Sequence, residues 1–233
     1  PVASKPGSGK RSAKPLCSTE VPRDHARCFG LVMESDGVVP HLDQPQGLSP
    51  DEVKSAYDLP DGGGAGAVIG IVDAYDNPNA ESDLAHYRET FGLPPLADGQ
   101  FTKVDQRGGT DYPAPNAGWA GEISLDLQAV TAVAPNASII LVEGDSASFD
   151  DLGTAVNTAI ALGAKYVSNS YGTDYDSSPG SGEDSSLIPY EAEYYDHPGV
   201  VVTASSGDDD YGVSFPADSP HVTSVGGTSL VDR

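Results

Sequence analysis

Two nearly continuous apolar runs, Ala67 to Asp73 and Ser138 to Glu143, stand out against a chain otherwise rich in turn residues. Their length and β-branched content predict buried strands. Between and after them the apolar spacing becomes helical. Residues 79–91 predict a helix starting near Asn79 with Glu81 in its first turn, and residues 106–117 a Gly- and Pro-rich connection into a second helix. Ser148, with Asp151 three residues on, predicts the cap of a third helix running to about Leu162, and Gly163 its end. Residues 166–170 and 200–204 read as short strands, and the polar stretch 173–186 as a surface loop. Strands alternating with helices predict an α/β fold, a parallel sheet with helices on both faces. Residues 1–15, rich in Pro, Gly, Ser and Lys, read as a disordered basic N-terminus. Residues 16–47 read as a loop-rich extension.

The second of these helices carries an anomaly. At about 100° per residue, Glu122, Asp126, Ala129 and Val133 share one stripe. Ile123, Leu127, Val130 and Ala134 form a stripe beside it, Leu125 and Ala132 flank the other side, and Ser124, Gln128 and Thr131 gather on the far face. A surface helix normally turns charges to water. Here both carboxylates lie inside the apolar arc, where two like charges cannot both ionise freely and the pair can hold and release a proton. Ligand sites in open parallel sheets lie beyond the carboxyl ends of the strands. Asp73, Asn169 and Asp208 fall at such ends.

Charge is unevenly distributed. The net charge is −23, yet residues 1–27 hold six of the twelve Lys and Arg against two acidic residues. So acidic a body excludes nucleic acid as a phosphate-contacting partner. No apolar run approaches the roughly 20 residues that cross a bilayer, and no membrane partner is expected. Cys17 and Cys28 have neither zinc spacing nor a His cluster. An even count in a secreted chain favours one disulfide closing a short N-terminal loop, with two separate buried thiols as the alternative. None of the five histidines begins a His-Gly-Thr sequence, which argues against a Ser-His-Asp site.

The segment Gly118-Trp119-Ala120-Gly121-Glu122, followed by Leu125-Asp126, resembles the acidic helix of the sedolisins, serine-carboxyl peptidases with a subtilisin-like fold. Further segments in family order extend the resemblance: Gly47 to Pro60, Ala67 to Tyr75, Asn169 to Gly172, Ala204 to Asp208 and Phe215 to Thr228. It implies that Glu122 is the general base for a serine nucleophile, that Asp126 hydrogen-bonds and orients it, and that a protonated Asp208 donates to the oxyanion. It also places Trp119, Ser170 and Gly172 at the substrate cleft, and leaves Asp73 a supporting role. Ser229, in Gly226-Gly227-Thr228-Ser229, is a poor nucleophile candidate: Leu230 to Arg233 follow it, without the small residues and Pro that follow the family's serine. The implied nucleophile lies beyond residue 233. Residues 48–233 would then be the N-terminal part of a peptidase domain whose C-terminal part is missing, inactive alone, with an apolar face exposed. Calcium is implied as a cofactor with its ligands outside this chain, and no metal site is expected within it. The implied partner is a peptide or protein substrate, and the whole protein is expected to be a secreted, acid-favoured endopeptidase and a monomer. The rival readings are a non-catalytic module that keeps the fold for binding, and a metal-dependent acidic domain resting on the Asp-rich segments.

Overall fold

The computed structural model describes residues 11–35, 47–173, 186–208 and 212–228. A six-stranded sheet is built from β4 (Val68–Ala74), β5 (Phe101–Asp105), β6 (Ser138–Gly144), β7 (Tyr166–Asn169), β9 (Val201–Ser205) and β10 (Thr223–Val225). Its spatial order is β10-β9-β7-β4-β6-β5, and every neighbouring pair is parallel. The expected α/β architecture is present, with strand bounds shifted by a residue at most for β4, β6, β7 and β9. β5 had no counterpart in the sequence reading.

Three long helices cover this sheet: α2 (Ala80–Thr90), α3 (Ala117–Val133) and α4 (Phe149–Ala161). Successive strand residues point to opposite faces, and the core divides accordingly. Ile71, Ile139 and Leu141 pack with Leu84 of α2 and with Ile123 and Leu127 of α3. Val72, Ile140 and Val142 face the other way, in the cluster that includes Phe149, Leu152, Ala155, Val156 and Ala159 of α4. Helix starts follow their caps. Asn116 accepts from the N–H groups of Gly118 and Trp119, and Ser148 accepts from Asp151 N–H. The short α1 (Pro50–Ala56) opens with a reciprocal capping box between Ser49 and Glu52. Gly163 follows α4 at φ 107°, where a side chain would be strained.

The N-terminal segment departs from expectation. Of the residues 1–15 expected to be disordered, 1–10 lie outside the described residues and 11–15 form a strand: β1 (Arg11–Pro15) pairs antiparallel with β3 (Leu31–Ser35). The charged sequence RSAKP lacks an apolar period because its order comes from backbone pairing, with Lys14 reaching Glu34 across the pair. Cys17 and Cys28 form a disulfide between these strands, closing a loop short enough to stabilise by about 3 kcal/mol in the chain-entropy model. The two-residue β2 (Arg27–Cys28) pairs antiparallel with β8 (Tyr171–Gly172). The expected loop 173–186 falls largely on residues 174–185, outside the described residues. The short α5 (Ile188–Tyr190) and a π-helical turn, Glu191–Tyr195, lead into β9.

On α3 the period needs one correction. Leu125, expected to flank the apolar arc, is 46% exposed, while Thr131, expected on the polar face, is fully buried. The reason is Arg88 of α2, itself buried, which donates to Thr131 Oγ1 and to the carbonyls of Pro94 and Pro135 at 2.6 and 3.0 Å. This guanidinium ties α2 to the end of α3. Arg88→Ala should leave Thr131 Oγ1 and the Pro94 carbonyl without this donor, while Gln100 still serves Pro135, and cost about 3 kcal/mol, measured as a lowered urea midpoint with unchanged slope. A loss below about 0.5 kcal/mol, the range of an ordinary surface change, would show the tie to be dispensable.

Candidate active site

Strand alternation and helix period converge on one place. Asp73 and Glu143 are register partners at the ends of β4 and β6, each two residues past a side chain that packs on α3 and α2. Both therefore project toward the α3 face. From the helix, Glu122 and Asp126 point down from the stripe that also buries Trp119, Ile123 and Leu127. All four carboxylates are buried: Asp73 and Glu143 fully, Glu122 at 2% exposure and Asp126 at 7%.

Their hydrogen bonds are sparse. Glu122 Oε2 accepts from Gly30 N–H at 2.8 Å, and Asp126 Oδ1 accepts from Ser170 Oγ at 2.8 Å. Glu143 Oε1 accepts from Asn77 N–H at 2.9 Å and lies 3.2 Å from Lys103 Nζ. Both oxygens of Asp73, with Asp126 Oδ2 and Glu143 Oε2, have no hydrogen-bond partner among the described residues. Burial is the largest cause of the resulting shifts. It pushes Glu122 up to about 8, reinforced by the negative charge of Asp126 and more weakly of Asp208, with Gly30 N–H pulling the other way. Asp126 is raised by burial, which Ser170 partly offsets. Asp73 is raised well above the carboxylate range by burial and then by the charges of Asp126, Glu122 and Glu143. Glu143 is pushed to about 8 by burial, against Asn77 N–H and Lys103.

All but one of the site residues singled out in the sequence have a definite place. Glu122 and Asp126 lie one turn apart on α3; Gly30 N–H donates to the first and Ser170 Oγ to the second. Asp208, exposed in the turn after β9, is near enough for its charge to act on Glu122. Trp119 is buried and lies edge-on to Tyr75 and tilted against Tyr171, both at 6.4 Å between ring centres. Gly172 lies in β8, its backbone paired with Arg27. Ser229 lies outside the described residues. The role of Gly30 had no signal in the sequence, since a backbone N–H carries none. Tyr75, directly after β4, has φ 63°, a strained conformation of the kind found at functional sites. No group of three His, Cys, Asp or Glu side chains among the described residues is arranged to hold a metal ion. Calcium therefore enters no step below.

What fold and site define is a parallel α/β domain with a proton-holding carboxylate cluster at its strand ends. The subtilase family model matches residues 113–231. Kumamolisin from Bacillus sp. (strain MN-32) is 32% identical over 207 residues, covering 80% of this chain and 35% of its own length. Among solved structures, a Pseudomonas sedolisin, a serine-carboxyl proteinase complexed with two molecules of pseudo-iodotyrostatin, superposes with a TM-score of 0.65 at 23% identity. That match covers 81% of this chain and 55% of the other. The chain belongs to the subtilase family of serine-type peptidases, as a sedolisin-like member with the subtilisin-like fold. It spans about a third of the length of the curated relative it matches.

A carboxyl group whose folded pKa is raised binds its proton more tightly folded than unfolded. Its stabilising contribution is complete below the ordinary carboxylate range and is lost as pH rises through the folded value, about 8 for Glu122 and Glu143. The melting temperature should therefore fall by at least about 5 °C between pH 5 and pH 8. Glu122→Gln, which cannot ionise, should match the parent at pH 5 and exceed it at pH 8. Parallel pH curves for the two proteins, read by scanning calorimetry, would refute the assignment.

Proposed function

We propose that this chain supplies the base, its orienting carboxylate and the oxyanion donor of an acid-favoured serine-type endopeptidase acting on peptides or proteins. The observation that carries the reading is the pair Glu122 and Asp126, buried side by side at the strand ends and within the field of Asp208. The attacking hydroxyl would come from a serine outside the described residues. Glu122 takes its proton as the hydroxyl adds to the carbonyl carbon, and returns it to the leaving amine. Asp126 keeps Glu122 basic by its charge, and Ser170 holds Asp126 in place. Asp208 donates a hydrogen bond to the oxyanion, which it can do only when protonated. That requirement favours acid; the base requirement pulls the other way, since Glu122, pushed up to about 8, must release its own proton before it can take the hydroxyl's.

The disulfide supports an oxidising, extracellular setting, and no helix among the described residues is long and apolar enough to cross a membrane. The calcium that the resemblance brings with it would be held by residues other than those described.

The mechanism makes an unequal prediction for two substitutions at one position. Asp208→Ala removes the donor and should lower kcat about 10²- to 10³-fold. Asp208→Asn supplies an amide that donates at every pH, so activity should survive and extend toward neutrality. Peptide cleavage by a protein that carries the implied serine, followed from pH 3 to 7 with a serine-reactive probe in the same tubes, measures both. Equal losses with an unmoved pH profile would remove Asp208 from the oxyanion role. Full activity in Glu122→Gln would remove the base assignment.

A further inference from the structure

No pattern in the sequence singles out Asn77, in the turn between β4 and α2, yet it is buried and each of its polar groups is used. Its N–H donates to Glu143 Oε1 at 2.9 Å, and its carbonyl accepts from Lys103 Nζ at 2.7 Å. Its Oδ1 accepts from Asn79 N–H at 3.0 Å, which turns the amide nitrogen toward α3. There Nδ2 donates to Ala120 O at 3.2 Å and to Ser124 Oγ at 3.1 Å. The Ser124 hydroxyl donates to the same carbonyl at 2.9 Å. The two preceding residues serve the same contact: Tyr75 sets its ring against Trp119 of α3, and Asp76 is paired with Lys103.

Ala120 and Ser124 stand two residues before and two residues after Glu122. At about 100° per residue, both lie on the far side of the helix from it. Gly30 N–H and Ser170 Oγ reach Glu122 and Asp126 on one flank of α3, and Asn77 holds the other. A roll or slide of the helix must break a bond on one of them. Asn77 is itself anchored from below. Lys103 and Glu143 belong to β5 and β6, so the sheet sets where the amide stands. We infer that Asn77 is a positioning residue for Glu122: it sets the roll and depth of α3, and Lys103 with Glu143 fixes it to the sheet. The role of Glu122 as a base rests on the peptidase reading; the clamp on α3 does not.

Carbon NMR of the glutamate carboxyl groups from pH 4 to 9 reads the titration midpoint of Glu122, with Glu122→Gln assigning its signal. Burial is the largest cause of that raised midpoint, so freeing α3 and admitting water should lower it. Asn77→Ala should move it down by at least about half a pH unit. Ser124→Ala, which removes one of the two acceptors, should move it the same way. Because both break one clamp, the double variant should move it no further than Asn77→Ala does. Arg88→Ala is the control: it loosens the opposite end of α3 and should leave the midpoint in place. A midpoint unmoved in Asn77→Ala, shifts that add, or an equal shift in Arg88→Ala overturns the inference. Should Asn77→Ala fail to fold, Ser124→Ala against Arg88→Ala decides by the same criterion. In a protein that carries the implied serine, Asn77→Ala should lower kcat at least about tenfold and leave KM unchanged. Unchanged kcat in that active protein overturns the inference as well. A moved midpoint in a parent that cleaves nothing leaves the clamp standing and counts against the peptidase reading; cleavage with an unmoved midpoint does the reverse.

Discussion

The rest of the structure is organised around the burial of carboxylates without enough cations to balance them. Lys103 bridges Asp76 and Glu143, but the larger causes on Asp73 and Glu122 are burial and neighbouring negative charge, and on Asp126 burial. Removing a carboxylate from water is expensive unless it is paired, hydrogen-bonded or protonated. With pairing scarce, protons must take part. The fold makes this unavoidable: the alternation that sends Ile71 and Leu141 to the α3 face also sends Asp73 and Glu143 there. The helical period that buries Ile123 and Leu127 turns Glu122 and Asp126 to meet them.

The two faces of the sheet are correspondingly unlike. On the α4 side, Val72, Ile140 and Val142 meet an apolar helix, with Phe149 and Phe215 packed edge to face at 4.8 Å. On the α3 side the apolar cluster is smaller, and the space toward the strand ends is given to acidic groups. The first face supplies the stability that the second consumes. Tyr75 belongs to the same division. It leaves β4 at φ 63°, its N–H held by Gly144 O at 2.8 Å and its ring set against Trp119.

What could be read from the chain beforehand follows from the range of the forces involved. The helix cap at Ser148 is local, and the apolar runs of β4 and β6 declare burial on both faces, so the α/β order was legible. The acidic pair was legible because an i, i+4 spacing fixes a shared face. β1 was not, since RSAKP is ordered by a partner twenty residues away rather than by its own pattern. Thr131 was misassigned because the group that satisfies it, Arg88, comes from another helix. Asp73 was placed at a strand end, but the contribution of the α3 carboxylates to its proton affinity needed the packing of α3 on β4.

Comparison of three buried carboxylates shows what governs the chemistry. Asp105 is 1% exposed but sits at a shallower level than the cluster, and three backbone N–H groups, from Arg107, Gly109 and Asp111, hold its pKa below the usual range. Asp73 has no such donor, and burial drives it far up. Glu122 lies between them, with one backbone N–H, that of Gly30, pulling against burial. Depth of burial and the number of N–H groups aimed at a carboxylate together decide whether it keeps its proton. For Asp105 the donors belong to its own loop and are always present. For Glu122 the donor comes from a segment ninety-two residues away in sequence, held by strand pairing and a disulfide loop. The proton affinity of the proposed base is thus tied to that segment, whose N–H occupies one lone pair of Glu122 and favours its charged form.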